Sequence, residues 1–113
     1  MSGTPALTGD ELVSLLAALA SPHRVRILAA LVPGRTYVSE LARRLQMNRP
    51  LLYMHLQKLE AAGLVTGELV TAPDGSSVKY VEAVPFAVAL NLDAIALAAQ
   101  SLPTSGPAAE REK

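Results

Sequence analysis

Along the first half of the chain, apolar residues recur three and four positions apart, with polar and charged residues between them. Leu12, Leu15, Leu16 and Leu19 have this helical spacing. The preceding Thr8-Gly9-Asp10-Glu11 is a capping box, in which Thr8 accepts from a backbone N–H three residues on and Glu11 reaches back. Ser21-Pro22 restarts the chain, with Ser as N-cap and Pro at the first helical position. Val25, Ile27, Leu28 and Leu31 supply the apolar face of this second helix, and Pro33-Gly34 ends it. Ser39 is the expected cap of a short third helix, with Leu41, Ala42 and Leu45 inward and Arg43 and Arg44 outward. Gln46-Met47 connects it to a fourth helix capped by Asn48, where Pro50 falls in the first turn and its missing N–H does no harm. Leu52, Leu56 and Leu59 follow at i, i+4 and i+7, and Gly63 is suited to a left-handed C-cap.

After Gly63 the period changes. Residues 64–71 and 78–84 are rich in Val and Thr, and the Ala72-Pro73-Asp74-Gly75-Ser76-Ser77 between them is a turn, so the pair predicts a β-hairpin. Phe86, Val88 and Leu90 alternate with alanines and suggest a further extended piece after Pro85. Asn91 caps a last helix, in which Leu92, Ile95, Ala99 and Leu102 form a narrow stripe before Pro103. This order predicts a mainly α fold with a β-hairpin wing (α+β), the winged helix-turn-helix plan. Its expected parts are a flexible terminus at 1–7, one domain at 8–102 and a disordered tail at 103–113. Within the domain, 39–63 is the helix-turn-helix and 64–84 the wing. Residues 8–20 and 91–102 are expected to be dimerisation helices.

Half of the 113 residues are apolar, which argues against disorder, and only 4% are aromatic, so Leu, Val, Ile and Ala must build the core. With no cysteine, disulfides, thiol redox sensing and thiolate metal sites are excluded, and a cytoplasmic location is expected. No basic segment precedes the first apolar stretch, and no apolar run approaches the roughly 18 residues of a membrane span. Formal net charge is zero, but it is unevenly placed. Residues 21–81 carry eight Lys/Arg and four Asp/Glu, a net +4, whereas 1–20 and 82–109 carry four acids and no base. A basic centre between acidic flanks suits a surface that faces nucleic acid. No Gly-rich phosphate loop, nucleophile–base motif or paired carboxylates point to an enzyme, and no cofactor is expected.

Several segments are similar to the ArsR-type regulators. Leu19-Ala20-Ser21-Pro22-His23-Arg24-Val25-Arg26-Ile27-Leu28 resembles the opening of their second helix, and Val38-Ser39-Glu40-Leu41-Ala42 their third. The run from Leu52 through Tyr53-Met54-His55-Leu56-Gln57-Lys58-Leu59 to Val65 resembles their recognition helix entering the first wing strand. The likeness extends over roughly Leu12 to Val84 and implies a transcription regulator. Metal sensors of that family use Cys pairs near the third helix, or Asp/His and His/Glu pairs on the last. Here Arg35 to Glu40 holds no thiol, and the last helix offers Asp93 without a histidine, so no metal ligand is assigned.

On this plan the fourth helix buries Leu52, Leu56 and Leu59 and turns Arg49, Tyr53, Met54 and Gln57 toward the major groove. Arg49 suits a bidentate contact to guanine, Met54 and the Tyr53 ring suit thymine methyls, and Lys58 suits a phosphate. Ser39 and Asn48 mark helix N-termini open to phosphate, Arg43 and Arg44 flank the groove, and Lys79 rises from the wing. His23 and His55 read as structural residues, His55 beside the leucine face. Leu12, Leu15, Leu16 and Leu19, with Leu92, Ile95, Ala99 and Leu102, are the expected homodimer contacts. The expected partners are double-stranded DNA with a palindromic operator, a second copy of the chain, and an effector or partner protein of unknown identity; no membrane is expected. The competing readings are a winged-helix protein-interaction module without DNA binding, and a metal-responsive regulator with a non-thiolate site.

Overall fold

A computed structural model describes residues 6–103. The chain divides into two compact units, one of residues 16–86 and the other of the segments 6–15 and 87–103 of the described chain. Helix α1 (Gly9–Leu19) contributes to both. Among the described residues, no single helix is long and apolar enough to cross a membrane.

The unit of residues 16–86 holds α2 (Pro22–Ala30), β1 (Thr36–Tyr37), α3 (Val38–Leu45), α4 (Arg49–Ala61), β2 (Val65–Thr71) and β3 (Ser77–Ala83). The strands form an antiparallel sheet in the order β1-β3-β2, with Thr36 opposite Val81, Tyr37 opposite Tyr80 and Gly67 opposite Val81 on the other side. Ile27, Leu31, Leu41, Leu52, Leu56, Leu59 and Val81 are the largest fully buried side chains. Helices α2, α3 and α4 and the central strand β3 each supply at least one of them. Burying each contributes about 1.5–3 kcal/mol against the entropy of ordering the chain. The wing closes through a turn in which Ala72 N–H donates to Ser76 O (2.7 Å) and Asp74 accepts from the Ser76 N–H (3.0 Å) and hydroxyl (2.6 Å).

In the other unit the expected capping box is formed. Glu11 N–H donates to Thr8 Oγ1 (3.1 Å), and Thr8 N–H donates to Glu11 Oε1 (3.0 Å). Helix α5 (Leu92–Ala99) starts at Asn91, whose Oδ1 accepts from Ala94 N–H (2.8 Å). Gly9 N–H donates to Ser101 Oγ (2.7 Å), which donates onward to Ala98 O (3.0 Å).

The structure departs from the sequence pattern in five places. Strand β1 carries no periodic signal because it is two residues long. Its pairing with β3 holds the backbone extended through Tyr37, so Tyr37 rather than Ser39 is the N-cap of α3, without a side-chain bond. Ser39 is therefore the second residue of the helix, and Val38, the first, is buried. Val25 is 52% exposed: α2 turns Ile27 inward and ends at Ala30, with Leu31 as its C-cap. Residues 84–90 form neither strand nor helix, since no strand among the described residues pairs with them. Finally, α5 stops at Ala99 rather than 102. Ser101 and Leu102 N–H turn back to Ala98 and Ala99 three residues earlier, and Ser101 is held by Gly9. The expectations for residues 1–5 and 104–113 lie outside the described residues.

Candidate nucleic-acid interface

Helices α3 and α4 are joined by a tight left-handed closure. Gln46 adopts φ 53°, ψ 46°, which lets its N–H reach Arg43 O (3.2 Å) and the Met47 N–H reach Ala42 O (3.0 Å). This pair of bonds is the Schellman arrangement, and it drives Met47 into the core. Asn48 then opens α4, its Oδ1 accepting from Leu51 N–H (2.8 Å), with Pro50 in the first turn. The Asn48 side chain is engaged in this cap.

With Leu52, Leu56 and Leu59 inward, α4 presents Arg49, Tyr53, Met54, Gln57 and Lys58 to the exterior. Tyr53 is 38% and Met54 42% exposed. Among the described residues, no carboxylate pairs with Arg49 or Lys58. Both are free to meet an external anion.

The other basic residues named from the sequence are engaged within the chain. Arg43 and Arg44 are exposed, but both donate to Glu40 one turn earlier, Arg44 Nε at 2.9 Å and Arg43 Nε at 3.2 Å. Those hydrogen bonds hold the Glu40 carboxyl below its usual pKa. Ser39 is exposed in the first turn of the same helix. Lys79, on β3, lies 3.7 Å from Glu60 at the end of α4, and its amine sits 5.8 Å from the centre of the Tyr53 ring. On the neighbouring strand β2, Gly67, which faces Val81 in the ladder, keeps room for that pair: a Cβ there would fall 2.6 Å from both Glu60 Oε2 and Lys79 Cε. The wing thus meets α4 through the Lys79–Glu60 pair.

Three features of this unit lay beyond sequence reasoning. Arg35 stacks its guanidinium over the Tyr80 ring (4.1 Å) and reaches Glu68 (3.4 Å). Tyr80 in turn stacks on Tyr37 (4.3 Å between centroids), and the two hydroxyls share a hydrogen bond (2.8 Å); this bond with Tyr80 raises the Tyr37 pKa. His55 lies beneath α4 against Arg24 and His23. Only the Glu40 pairs had a local signal, three- and four-residue spacing to Arg43 and Arg44; the other contacts join residues far apart in the chain.

The apolar residues expected at a dimer contact differ in placement. Leu92 (83%), Ile95 and Ala99 of α5 are exposed, as is Leu16. Leu15, Leu19 and Leu102 are half-buried. Leu12 is turned into the interior of its own unit and is only 8% exposed, so it offers almost no surface to a partner. Among the described residues, no three His, Asp or Glu side chains come together in a way that holds a metal ion.

Comparison with known proteins agrees with this geometry. Residues 19–68 match the model of a helix-turn-helix domain family. An uncharacterised HTH-type transcriptional regulator of Methanocaldococcus jannaschii is 41% identical over 71 residues, which cover 63% of this chain and 73% of that protein. The HTH-type transcriptional repressor SmtB of Mycobacterium tuberculosis is 44% identical over 59 residues, covering 52% of this chain and 44% of the repressor. Among solved structures, the homodimeric winged helix-turn-helix DNA-binding domain of a possible ArsR-family regulator from Mycobacterium bovis superposes with a TM-score of 0.56. It is 26% identical, and the match covers 80% of this chain and 74% of that domain. A capped helix-turn-helix with a hairpin wing, together with these relatives, places the chain in the ArsR/SmtB-like family of DNA-binding winged helix-turn-helix transcriptional regulators.

Proposed function

We propose that the chain is a sequence-specific regulator that binds a palindromic operator as a homodimer, with α4 as the recognition helix. The observation that carries this is the exterior of α4, where Arg49, Tyr53, Met54, Gln57 and Lys58 are exposed over a buried leucine face and its two cations lack an acidic partner among the described residues. Arg49 in the first turn reads a base edge, Tyr53 and Met54 pack on thymine methyls, and Lys58 meets a phosphate. Arg43, Arg44 and Lys79 exchange their internal carboxylates for phosphates on binding, and the first turns of α3 and α4, at Ser39 and Asn48, offer backbone N–H groups.

The dimer rests on the exposed stripe Leu92, Ile95 and Ala99 and on Leu16, apolar groups that a second copy would cover. The homodimeric state of the related mycobacterial domain supports this. Two recognition helices would then lie about 34 Å apart, one turn of DNA. The test is binding of the full chain to a duplex holding a palindrome from the region upstream of its own reading frame, at two salt concentrations. Salt-sensitive binding that a scrambled duplex does not reproduce, and that Arg49→Ala weakens, is expected. No binding at low salt overturns the reading in favour of a protein-interaction module.

A further inference from the structure

Arg24 does not face solvent as Arg26 does. It is half-buried in the first turn of α2, and its guanidinium bridges two other helices. Nε donates to Ala18 O (2.6 Å) and Nη2 reaches Ala17 O (3.5 Å), carbonyls in the last turn of α1. A cation at that end of a helix is favourable, because the final carbonyls lack intrahelical donors. Nη1 lies 3.1 Å from Nδ1 of His55 on α4. A guanidinium only donates, so Nδ1 must be the acceptor and the ring proton sits on Nε2. Arg24 therefore ties the recognition helix to α1 and α2 by a bond that exists only while His55 is neutral.

The surroundings of His55 penalise its charge. The side chain is 6% exposed, and Nε2 is buried with no partner among the described residues. The titratable and charged groups that face it are all bases: Arg24 and His23 of α2, the latter with its ring 5.1 Å away, and Lys58 one turn along α4. Loss of solvation, then the charges of Arg24, His23 and Lys58, hold the His55 pKa below the usual 6.5. Protonation removes the Nδ1 lone pair and sets a second cation against the guanidinium.

We propose that Arg24 and His55 are positioning residues for the recognition helix, and that their bond makes the DNA-binding form of this protein acid-labile. This rests on the reading of α4 as the DNA-contacting helix. Because the ring titrates lower in the folded chain than in the unfolded one, the unfolded chain binds more protons between the two values. Stability is therefore full above about pH 6.5 and declines as pH falls through that value toward the folded pKa.

The test uses the full chain. Imidazole 15N NMR is expected to show His55 as the Nε2–H tautomer with a midpoint below that of an ordinary histidine. Unfolding in urea is expected at lower concentration at pH 5.5 than at pH 7.5. Binding of a labelled palindromic duplex at fixed ionic strength is expected to weaken more than about threefold over the same interval. In His55→Asn, whose side-chain oxygen takes the place of Nδ1 without titrating, that loss should shrink to within about twofold. The Nδ1–H tautomer, an ordinary or raised midpoint, or a parallel loss in wild type and His55→Asn overturns the proposal. If the asparagine variant does not fold, the wild-type titration and the unfolding series still decide it. Failure to bind DNA at pH 7.5 refutes the DNA reading and the proposal with it. The titration and unfolding arms, which need no DNA, separate that failure from failure of the Arg24–His55 tie.

Discussion

Helices α3 and α4 close in the same way, but with different residues in the left-handed position. At the end of α4 it is Gly63 (φ 77°), whose N–H reaches Glu60 O (3.0 Å) while that of Leu64 reaches Leu59 O (2.9 Å). At the end of α3 it is Gln46 (φ 53°), with the matching pair of bonds to Arg43 and Ala42. A residue with a Cβ sits about 1–2 kcal/mol above its right-handed minimum in this region. Glycine avoids that cost but loses about 0.4–1 kcal/mol more unfolded-state freedom. The difference gives opposite signs at the two sites. With mid-range values, Gln46→Gly should stabilise the protein by about 0.8 kcal/mol, and Gly63→Ala should destabilise it by about as much.

Neither estimate needs a steric correction. Nothing lies within 4 Å of where a Cβ on Gly63 would stand, and the Gln46 side chain is exposed with no hydrogen bond among the described residues. For a domain of this size about 1 kcal/mol moves the thermal midpoint by roughly 4–8 °C. Gln46→Gly is therefore expected to raise it by about 3–6 °C and Gly63→Ala to lower it by a similar amount. Urea unfolding followed by circular dichroism checks both, with an unchanged m-value showing that only stability moved. A Gln46→Gly protein less stable than wild type would refute the reasoning, since the glutamine would then stabilise the turn by something other than its backbone conformation.

Further outcomes follow from the same geometry. Lys58→Ala should weaken binding to all duplexes alike and flatten the slope of log K against log salt by about 0.9, whereas Arg49→Ala should cost about 1–3 kcal/mol at one base pair; equal losses on operator and scrambled DNA for both variants would deny Arg49 a base contact. Leu56→Ala, at a site 1% exposed beneath α4, should cost about 2–5 kcal/mol in urea unfolding, and a loss below about 1 kcal/mol would mean that this face is not packed as described. Ile95→Asp should shift sedimentation toward the monomer while leaving thermal unfolding of the isolated chain nearly unchanged, because Ile95 is exposed; an unaltered sedimentation coefficient would remove α5 from the dimer contact.

What the sequence made legible is what depends on near neighbours. Thr8, Ser21 and Asn48 cap their helices through bonds that span three residues, and the Leu52, Leu56, Leu59 row follows from the helical period alone. Ser39 misled because its environment is set at a distance: the partner that extends Tyr37 is Tyr80, more than forty residues on. Val25 misled because an apolar residue at helical spacing is no guarantee of burial in a helix of nine residues with only one buried side chain, Ile27. Within the candidate interface, the exposed row of α4 was readable from its buried complement. The pairing of Lys79 with Glu60 and of Arg35 with Glu68 was not, because each joins residues far apart in the chain that only the tertiary fold brings together.

These pairs change the meaning of the chain's charge. Between residues 21 and 81 the excess is +4, yet Arg35, Arg43, Arg44 and Lys79 each lie against a carboxylate and Arg24 is spent on carbonyls and His55. Among the described residues of that stretch, Arg26, Arg49 and Lys58 are left without such partners, two of them on α4. At physiological salt a charge is felt over about 8 Å, so a phosphate meets the local sum and not the total for the molecule. From Arg49 to Lys58 that sum is +2 with no acid in the run. A paired arginine must give up one anion to take another, which yields less than the capture of a phosphate by a free cation. On the proposed reading, the electrostatic part of DNA affinity would be concentrated on the same helix that displays Tyr53, Met54 and Gln57, so that zero net charge does not conflict with binding a polyanion.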